Sequence, residues 1–325
     1  MTNVGNYCGI DISKSFFDVS FLSNGRFVNR KFIYNMDGMS DLLSLLPGNV
    51  HCVMESTGTY HCRLAYFLYE HGIKLSIVNP LSVKRFSQAL MLRTKTDKSD
   101  SRMLMNYGSH FTPECWHPRE SHYIELQQLF KAASLLEKQI RAIKNQLESL
   151  EHSVIVNQLL INTMEDLLIQ YDQKLSAIYK ETDRLIQQHQ KQNLNRLVAI
   201  PGMGKKTAVV LLTITAGMKE FDTAKQLCSY VGLCPRIFES GSSVKGKSKI
   251  CKMGMSMIRK LLYMCALSAK KYNKSCRELY ERLISNGKKK KLALIAVANK
   301  LLRQAFSIIK YQTEFNEKYY PKKLA

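Results

Sequence analysis

The sequence predicts an α/β domain, then a long helical hairpin, and then a mainly helical and strongly basic domain. Short β-rich runs alternate with helical stretches up to about Tyr107. Apolar residues then repeat with helical spacing from Glu120 to about Asn193, a region without proline or glycine. From Ser240 onward the chain has 21 Lys/Arg and 4 Asp/Glu, so this last quarter holds 17 of the 22 net positive charges.

The first domain, predicted over residues 1–118, has the element order of an RNase H-like (RuvC-type) sheet. Three β-rich runs come first, with an Asn-Gly hairpin turn at 24–25, and helix, strand, helix and strand follow. The predicted strands are 7–12, 16–22, 27–34, 50–55 and 73–78, and the predicted helices are 37–46 and 60–70.

The predicted middle domain, residues 119–193, is a pair of long helices. Its apolar residues recur at alternating steps of three and four, the heptad pattern of a coiled coil. A coiled-coil hairpin that serves as an oligomerisation arm is the first interpretation, and a plain helical-bundle core is the alternative. The first stripe is Leu126, Leu129, Ala133, Leu136, Ile140, Ile143, Leu147, Leu150 and Val154, and the second is Ile161, Met164, Leu168, Tyr171, Leu175 and Ile178.

Residues 194–325 are predicted to form a mainly helical domain. The sequence Pro-Gly-Met-Gly-Lys-Lys near its start resembles the turn of a helix-hairpin-helix, in which glycines let backbone N–H groups approach a phosphate. A purely structural turn is the alternative. The predicted phosphate contacts are Gly202, Gly204, Lys205 and Lys206, the predicted helices are 200–216, 221–231, 255–271 and 290–309, and 232–252 is predicted to be an irregular loop.

The charge surplus favours a polyanionic partner, and nucleic acid is the natural candidate because neutralised phosphates release counterions. The charge itself does not distinguish DNA from RNA. We expect no signal peptide, no membrane segment and a cytoplasmic location, because the first residues lack a signal pattern and the apolar runs are short. The nine scattered cysteines form no zinc-type spacing and are expected to be reduced thiols.

Four carboxylates stand where a metal site could form. Asp11 and Glu55 each end an apolar, strand-like run, and Asp97 and Asp100 lie three residues apart near the start of a helix. Burial of carboxylates at strand ends is costly without a cation. Oxygen ligands of this kind suit Mg²⁺ or Mn²⁺, and two such ions can stabilise the attacking and leaving oxygens of phosphoryl transfer.

The motifs in this order resemble the DEDD insertion-sequence transposases, a family that includes the pilin-gene invertase Piv. The resemblance covers nearly the whole chain. The N-terminal motifs are Gly-Ile-Asp-Ile-Ser-Lys, Met-Glu-Ser-Thr-Gly-Thr-Tyr, Val-Asn-Pro and Lys-Thr-Asp-Lys-Ser-Asp, and the C-terminal ones are Ile-Pro-Gly-Met-Gly, Phe-Asp-Thr-Ala-Lys-Gln-Leu-Cys-Ser-Tyr-Val-Gly-Leu-Cys-Pro-Arg, Glu-Ser-Gly-Ser-Ser and Ile-Cys-Lys-Met-Gly-Met-Ser-Met-Ile-Arg-Lys-Leu-Leu.

The resemblance implies that the four acids form a divalent-metal site and that a serine of the C-terminal Ser-Gly motif is the nucleophile. Ser240 matches that serine, with Ser242 and Ser243 as close alternatives. A phosphoserine link would conserve the energy of the cut strand, provided that a base or metal activates the hydroxyl. The residues expected to hold phosphates or face nucleic acid are Arg236, Lys245, Lys247, Lys249, Arg259 and Lys260.

The expected function is therefore that of a transposase or recombinase of mobile DNA. The resemblance also implies a structured guide RNA and a homo-oligomer, either dimer or tetramer, formed through the coiled-coil arm. Three alternatives stay open at this point. They are a Holliday-junction resolvase that uses water as its nucleophile, a pilin-type invertase, and a non-catalytic nucleic-acid-binding protein.

Overall fold

In the computed structural model, the first strands of the chain form one sheet. They are β1 (Tyr7–Ile12), β2 (Phe16–Ser23), β3 (Arg26–Ile33), β4 (His51–Glu55) and β5 (Lys74–Val78). The strand order is β3-β2-β1-β4-β5; β1, β2 and β3 are antiparallel neighbours, and β4 and β5 continue parallel to β1. The structure describes residues 6–23, 25–56, 58–91, 96–236, 239–240, 244–245, 249–250 and 253–317, with the backbone alone at 97, 235–236, 239–240, 244–245 and 249.

Helices cover both faces of this sheet, because its central strands are apolar on both sides. One face carries Cys8, Ile10 and Met54 in a core with α1 (Met36–Leu45) and α2 (His61–Glu70). The opposite face carries Val53 and Val78 in a second core, with α3 (Pro80–Ala89) and α4 (Asp97–Phe111). Side-chain caps fix where three of these helices begin: Asn35, Asn79 and Thr96 each accept a hydrogen bond from a backbone N–H of the first turn.

Helix α4 lies directly on β1 because two glycines leave room for it. A methyl group on Gly9 of β1 would lie 1.9 Å from the carbonyl oxygen of Ser101. A methyl group on Gly108 of α4 would lie 2.6 Å from the Tyr7 ring. The early part of α4 therefore lies over the later part of β1, so the helix runs antiparallel to the strand. Its first turn points toward the carboxyl end of β1.

The described contacts divide the chain into two units, Met1–Pro118 and Arg119–Ala325. The second unit begins with a long hairpin of two helices and continues with shorter helices and small two-stranded sheets. Its helices are α5 (Ser121–Glu151), α6 (Gln158–His189), α7 (Lys191–Val198), α8 (Lys205–Ile214), α9 (Ala224–Val231), α10 (Ser256–Tyr272), α11 (Lys274–Ser285) and α12 (Lys290–Lys310), and its strands are β6 (Pro235–Arg236), β7 (Glu239–Ser240), β8 (Val244–Lys245) and β9 (Lys249–Ile250).

The hairpin of α5 and α6 is buried most deeply at its base, and buried positions continue along α5 as far as Ile140. Leu126 and Ile186 are fully buried there, in the core that they share with α7, α8, α10 and α12. Toward the tip, the positions of the two apolar stripes are half-buried up to the turn, where Val154 is exposed. Leu159 and Ile169 on α6 lie outside the stripes and expose 74% and 58% of their surface.

Helix α12 is the central helix of the second unit. It is long and apolar enough to cross a membrane by length and composition, and more than half of that stretch is buried inside the unit. Leu301, Leu302 and Ala305 on this helix are completely buried against neighbouring helices. Its apolar composition therefore has an explanation in core packing.

The predicted strands and the mixed α/β class agree with the structure, and some of the predicted loops do not. The segment 232–252, predicted to be irregular, contains β6 paired with β9 and β7 paired with β8. Helices α3, α7 and α11 were not predicted, although asparagine side chains cap the starts of α3 and α11. The helix predicted at 221–231 begins later, at Ala224, because Thr223 and Gln226 form a capping box.

We predict that Gly9→Ala lowers the free energy of unfolding of the N-terminal unit by roughly 1–3 kcal/mol, because the methyl group meets helix backbone that cannot rotate away. Urea denaturation followed by circular dichroism measures this. Gly48→Ala is the matched control, since a methyl group there meets no atom within 4 Å. Equal stability of the two variants would contradict the close contact of α4 with β1.

Candidate functional site

Two of the predicted acids end neighbouring parallel strands. The register pairs Ile10 of β1 with Met54 of β4, so the next residues, Asp11 and Glu55, lie side by side. Side chains alternate between faces along a strand. Asp11 therefore shares the face of Gly9, and Glu55 shares that of Val53, which is the face covered by α4. Both side chains are half-buried.

The first turn of α4 brings a third acid to the same edge of the sheet. Asp97 is the first residue of the helix, and Asp100 follows one turn later, with its side chain half-buried. Thr96 and Ser99 form a capping box that fixes this turn. Because Ser101 lies over Gly9, the preceding residue Asp100 lies toward the strand ends that carry Asp11 and Glu55. The side chain of Asp97 lies outside the described residues.

A buried polar network anchors this turn of α4 to the sheet. The Ser101 hydroxyl is completely buried and lies 2.7 Å from the Ser20 hydroxyl of β2. The Asn29 amide of β3 donates to the Ser20 hydroxyl at 3.0 Å and to the Val19 carbonyl at 3.1 Å. A buried network of this kind is stable only when its members keep their partners, so it holds the position of the helix start.

One further acid on this face was not predicted from the sequence. Asp18 of β2 stands directly opposite Asp11 in the antiparallel register and is only 7% exposed. Its carboxylate forms an ion pair with Lys31 of β3, at 3.6 Å. The hairpin register could have revealed it, because a turn centred between residues 14 and 15 pairs position 11 with position 18.

The donor set at this edge is chemically suited to a hard divalent cation. Carboxylate oxygens are what Mg²⁺ and Mn²⁺ prefer, and the half-buried strand ends would gain from a compensating charge. Among the described side chains, no three carboxylate, imidazole or thiolate groups converge closely enough to hold a metal ion. The fit therefore rests on the shared edge and face of Asp11, Glu55 and Asp100 and on their chemistry.

The predicted serine lies in a small hairpin of the second unit. Ser240 ends the two-residue strand β7 and pairs with Val244 of β8. Arg236, Lys245 and Lys249 lie on the neighbouring short strands, where the backbone alone is described. Three predicted residues of this segment lie outside the described residues: Ser242, Ser243 and Lys247.

The two glycines of the turn before α8 have different environments. Gly202 has a positive φ of 98°, and a methyl group on it would lie 2.6 Å from the Cβ of Ala269 on α10. Packing and backbone conformation therefore account for Gly202. Gly204 is the N-cap of α8 with an ordinary φ of −77°, and a methyl group there would meet nothing within 4 Å. Space does not require a glycine at that position.

The two lysines that follow this turn, at the start of α8, are paired with acids of the helical hairpin. Lys205 lies 2.9 Å from Asp183 of α6, and Lys206 lies 2.7 Å from Glu137 of α5. The hydrogen bond to Glu137 raises the pKa of Lys206. Both lysine side chains are more than half exposed. They line a cavity of about 290 Å³ together with apolar side chains of α5 and α8. Both ammonium groups thus have partners within the chain.

Arg259 and Lys260, the two basic residues predicted to face nucleic acid from α10, differ in their exposure. The Arg259 guanidinium is half-buried and donates to the carbonyl oxygen of Val231 at 3.0 Å, which satisfies the C-terminal end of α9. Lys260 is exposed. Arg259 thus has a structural contact that sequence analysis did not anticipate.

The fold places half-buried acids at the edge of an α/β sheet in one unit and a basic helical unit after it, and comparison with known proteins identifies the class. Residues 8–153 match the DEDD family of IS110 described as "Transposase", and residues 194–281 match the family "Transposase IS116/IS110/IS902 family". The chain therefore belongs to the IS110-type family of transposases and DNA invertases. The resemblance predicted from the sequence is confirmed.

Individual relatives include both kinds of protein. The chain is 32% identical to the pilin gene-inverting protein of Moraxella bovis over 323 residues, which is 96% of this chain and 98% of that protein. The Moraxella lacunata protein of the same name matches with the same identity and coverage. The transposase of insertion sequence element IS1111A from Coxiella burnetii is 22% identical over 90% of this chain and 86% of its own length.

We predict that Gly202→Ala destabilises the second unit by roughly 1–3 kcal/mol, since the methyl group collides with Ala269 in a left-handed backbone conformation. Gly204→Ala in the same turn is the control and is expected to leave the unfolding transition unchanged. Thermal unfolding followed by circular dichroism compares the two. If Gly204→Ala were equally destabilising, the distinction between the two glycines would be wrong.

Proposed function

We propose that this chain cuts and rejoins DNA through a divalent-metal site at Asp11, Glu55, Asp97 and Asp100 and a serine nucleophile, Ser240. The observation that carries the proposal is the common edge and face of Asp11 and Glu55, with the first turn of α4 crossing beside them. Family membership supports it, because transposases and invertases break and rejoin DNA strands.

We infer that the N-terminal unit is RNase H-like. Its first three strands are antiparallel, and the next two extend the sheet parallel to β1. Helices lie on both faces, and Asp11 and Glu55 lie at the carboxyl ends of the central strands β1 and β4. This is where ligands bind in open α/β sheets. The arrangement supports phosphoryl transfer chemistry at that edge.

In this proposal, each acid contributes oxygen ligands to Mg²⁺ or Mn²⁺. Asp11 and Glu55 come from rigid neighbouring strands, while Asp97 and Asp100 come from one helical turn that is capped and anchored through Ser101. A divalent cation held there supplies Lewis-acid stabilisation of charge on a scissile phosphate. The role of the protein is to fix these ligands, which is why the anchoring of α4 bears on the chemistry.

The serine role rests on the family resemblance and on the place of Ser240 in the basic unit. A bond would form between its hydroxyl oxygen and the scissile phosphorus while the bond from phosphorus to the departing deoxyribose oxygen breaks. A serine hydroxyl needs activation for such an attack. The proposed phosphate contacts nearby are Arg236, Lys245, Lys247 and Lys249, and those elsewhere in the unit are Gly202, Gly204, Lys205, Lys206, Arg259 and Lys260.

The partners that we propose are DNA, a structured guide RNA and further copies of the chain. The strong positive charge of the C-terminal quarter supports a nucleic-acid partner. The apolar residues exposed toward the tip of the α5–α6 hairpin support association through this arm as a coiled coil. Val154 and Ile155 in the turn, and Leu159 and Ile169 on α6, are the most exposed of them.

A site-specific DNA invertase is the second candidate, and a specific observation favours it. The pilin gene-inverting relatives match at higher identity than the IS1111A transposase, and over nearly the full length of both chains. Both activities use the same proposed chemistry. The DNA around the gene distinguishes them: a transposase gene lies between the ends of a mobile element, whereas an invertase gene acts on inverted repeats around a reversible segment.

We predict that Asp11→Asn, Glu55→Gln and Asp100→Asn each reduce metal-dependent DNA cutting by more than roughly 100-fold. Loss of a residue that only supports a metal ligand typically costs roughly 10- to 100-fold, and loss of a ligand itself should cost more. Nicking of a supercoiled plasmid that carries the cognate DNA ends, with MgCl₂ or with EDTA, measures this. Glu70→Gln, an exposed carboxylate at the end of α2, is the control. Full activity of the three variants would rule out the proposed metal site.

We predict that Ser240→Ala abolishes a covalent protein–DNA adduct and strand joining while DNA affinity is retained. Denaturing electrophoresis detects the adduct, and mass spectrometry of the digested protein maps the modified residue. Ser242→Ala and Ser243→Ala are the matched controls and are expected to keep the adduct. Continued cutting by Ser240→Ala would favour a resolvase mechanism with water as the nucleophile, and an adduct on another residue would exclude Ser240.

A further inference from the structure

One face of the N-terminal sheet carries a row of charged side chains that crosses four strands. Glu55 of β4 lies beside Asp11 of β1, Asp11 pairs with Asp18 of β2, and Asp18 pairs with Lys31 of β3. All four share the face that α4 covers, because paired residues of neighbouring strands point the same way. The row therefore consists of three carboxylates followed by one ammonium group at the edge strand.

Lys31 is held in position at the end of this row. Its Nζ lies 3.6 Å from the Asp18 carboxylate and 5.1 Å from the centroid of the Phe16 ring. The Asp18 side chain is only 10% exposed, whereas the Lys31 side chain is 51% exposed. The contact thus fixes the ammonium group from the buried side and leaves half of the side chain in solvent. An ammonium has three donors, so it can remain beside Asp18 while it binds a phosphate oxygen.

A second cation lies along the same edge and on the same face. Arg102, exposed on α4, places its guanidinium 4.6 Å from the centroid of the Phe27 ring on β3. Phe27 and Lys31 are four residues apart on one strand, and therefore about 13 Å apart on the same face. Two cations, each over an aromatic ring, thus line the β3 edge: Lys31 is level with the acid row, and Arg102 lies toward the level of the amino end of β1.

Arg30, the residue before Lys31 on β3, provides a comparison for Lys31 on the same edge strand. Edge strands commonly carry charged residues that prevent pairing with other chains. Arg30 fits that explanation, because it is exposed and points to the face opposite the acids. Lys31 points instead toward the carboxylate row. A phosphate that approaches three carboxylates is repelled by them, so a cation beside the row is what a bound DNA strand would require.

We propose that Lys31 binds a phosphate of the DNA strand that is cut, next to the scissile phosphate at the Asp11–Glu55 edge, and that Asp18 and Phe16 position it. This inference rests on the proposed function and extends it, because it names the path by which the strand reaches the acids: over the β3 edge, past Arg102 and Lys31. Lys31 is a DNA-binding residue in this view, and Asp18 is a positioning residue.

The test compares Lys31→Gln with Arg30→Gln in the full chain. Each substitution removes one positive charge, and the two residues are adjacent on β3. The probe is a fluorescently labelled, mixed-sequence DNA duplex in EDTA, titrated at several NaCl concentrations. Lys31→Gln is expected to weaken binding and to reduce the salt slope by about one, the amount that one lost phosphate contact causes. Arg30→Gln is expected to match the unaltered chain.

The double variant Asp18→Asn/Lys31→Gln distinguishes a purely structural role of Lys31 from phosphate binding. If Lys31 only neutralises the buried Asp18 carboxylate, the double variant regains the DNA affinity and salt slope of the unaltered chain. If Lys31 binds phosphate, the double variant stays defective and Lys31→Arg retains most of the affinity. Thermal unfolding of each variant shows whether its fold is intact. Equal affinity and salt slope for Lys31→Gln and Arg30→Gln would overturn the proposal.

Kinetics with MgCl₂ keep this inference distinct from the proposed function. Lys31→Gln is expected to raise KM for a plasmid substrate with little change in kcat, because a phosphate contact made equally in the ground and transition states affects binding alone. If the unaltered chain, purified with the RNA that it binds, does not nick DNA with a divalent cation, the proposed function fails. The comparison of binding in EDTA still decides whether Lys31 contacts DNA.

Discussion

The candidate site depends on the direct contact between the α4 backbone and β1. Gly9 removes the side chain that would otherwise hold a helix away from the strand, and the Ser101 carbonyl occupies the space. Interaxial distances are normally set by side chains, so a glycine at the crossing point brings the two backbones together. The first turn of α4 thereby reaches the carboxyl ends of β1 and β4, where Asp11 and Glu55 stand. Without this approach, Asp100 would belong to an unrelated surface.

The same geometry concentrates charge on one face of the sheet. Asp18 is nearly buried beside Asp11, and Lys31 is the cation with which it pairs across β2 and β3. A buried carboxylate is costly unless it has partners, so the pairing stabilises a face that already carries two acids. The arrangement leaves the acids next to the half-exposed ammonium group of Lys31. Acids that bind a metal and cations that bind the DNA backbone are both needed where a phosphate is to be attacked.

In the second unit, some of the residues predicted to contact phosphate have a packing role in the fold, and others do not. Gly202 is explained by the close approach of α10, and Arg259 by the end of α9, whereas Gly204 and Lys260 have no such structural explanation. Lys205 and Lys206 pair with acids of the α5–α6 hairpin, so a nucleic-acid phosphate would have to compete with Asp183 and Glu137 for them. These partly exposed ion pairs are individually weak, which makes such an exchange energetically accessible.

The sequence by itself determined the five strands, the two long helices, the charge asymmetry and the family, because each is written in local periodicity, composition or contiguous motifs. It also predicted that Asp11 and Glu55 lie near the ends of strands, since an acid at the end of an apolar run can be recognised from the sequence. Tertiary structure alone decided that Gly9 admits α4, that Asp18 is nearly buried and ion-paired with Lys31, and that Gly202 is required by packing. These facts depend on contacts between residues distant along the chain, and on strand register, where a shift by one residue exchanges the two faces of a sheet.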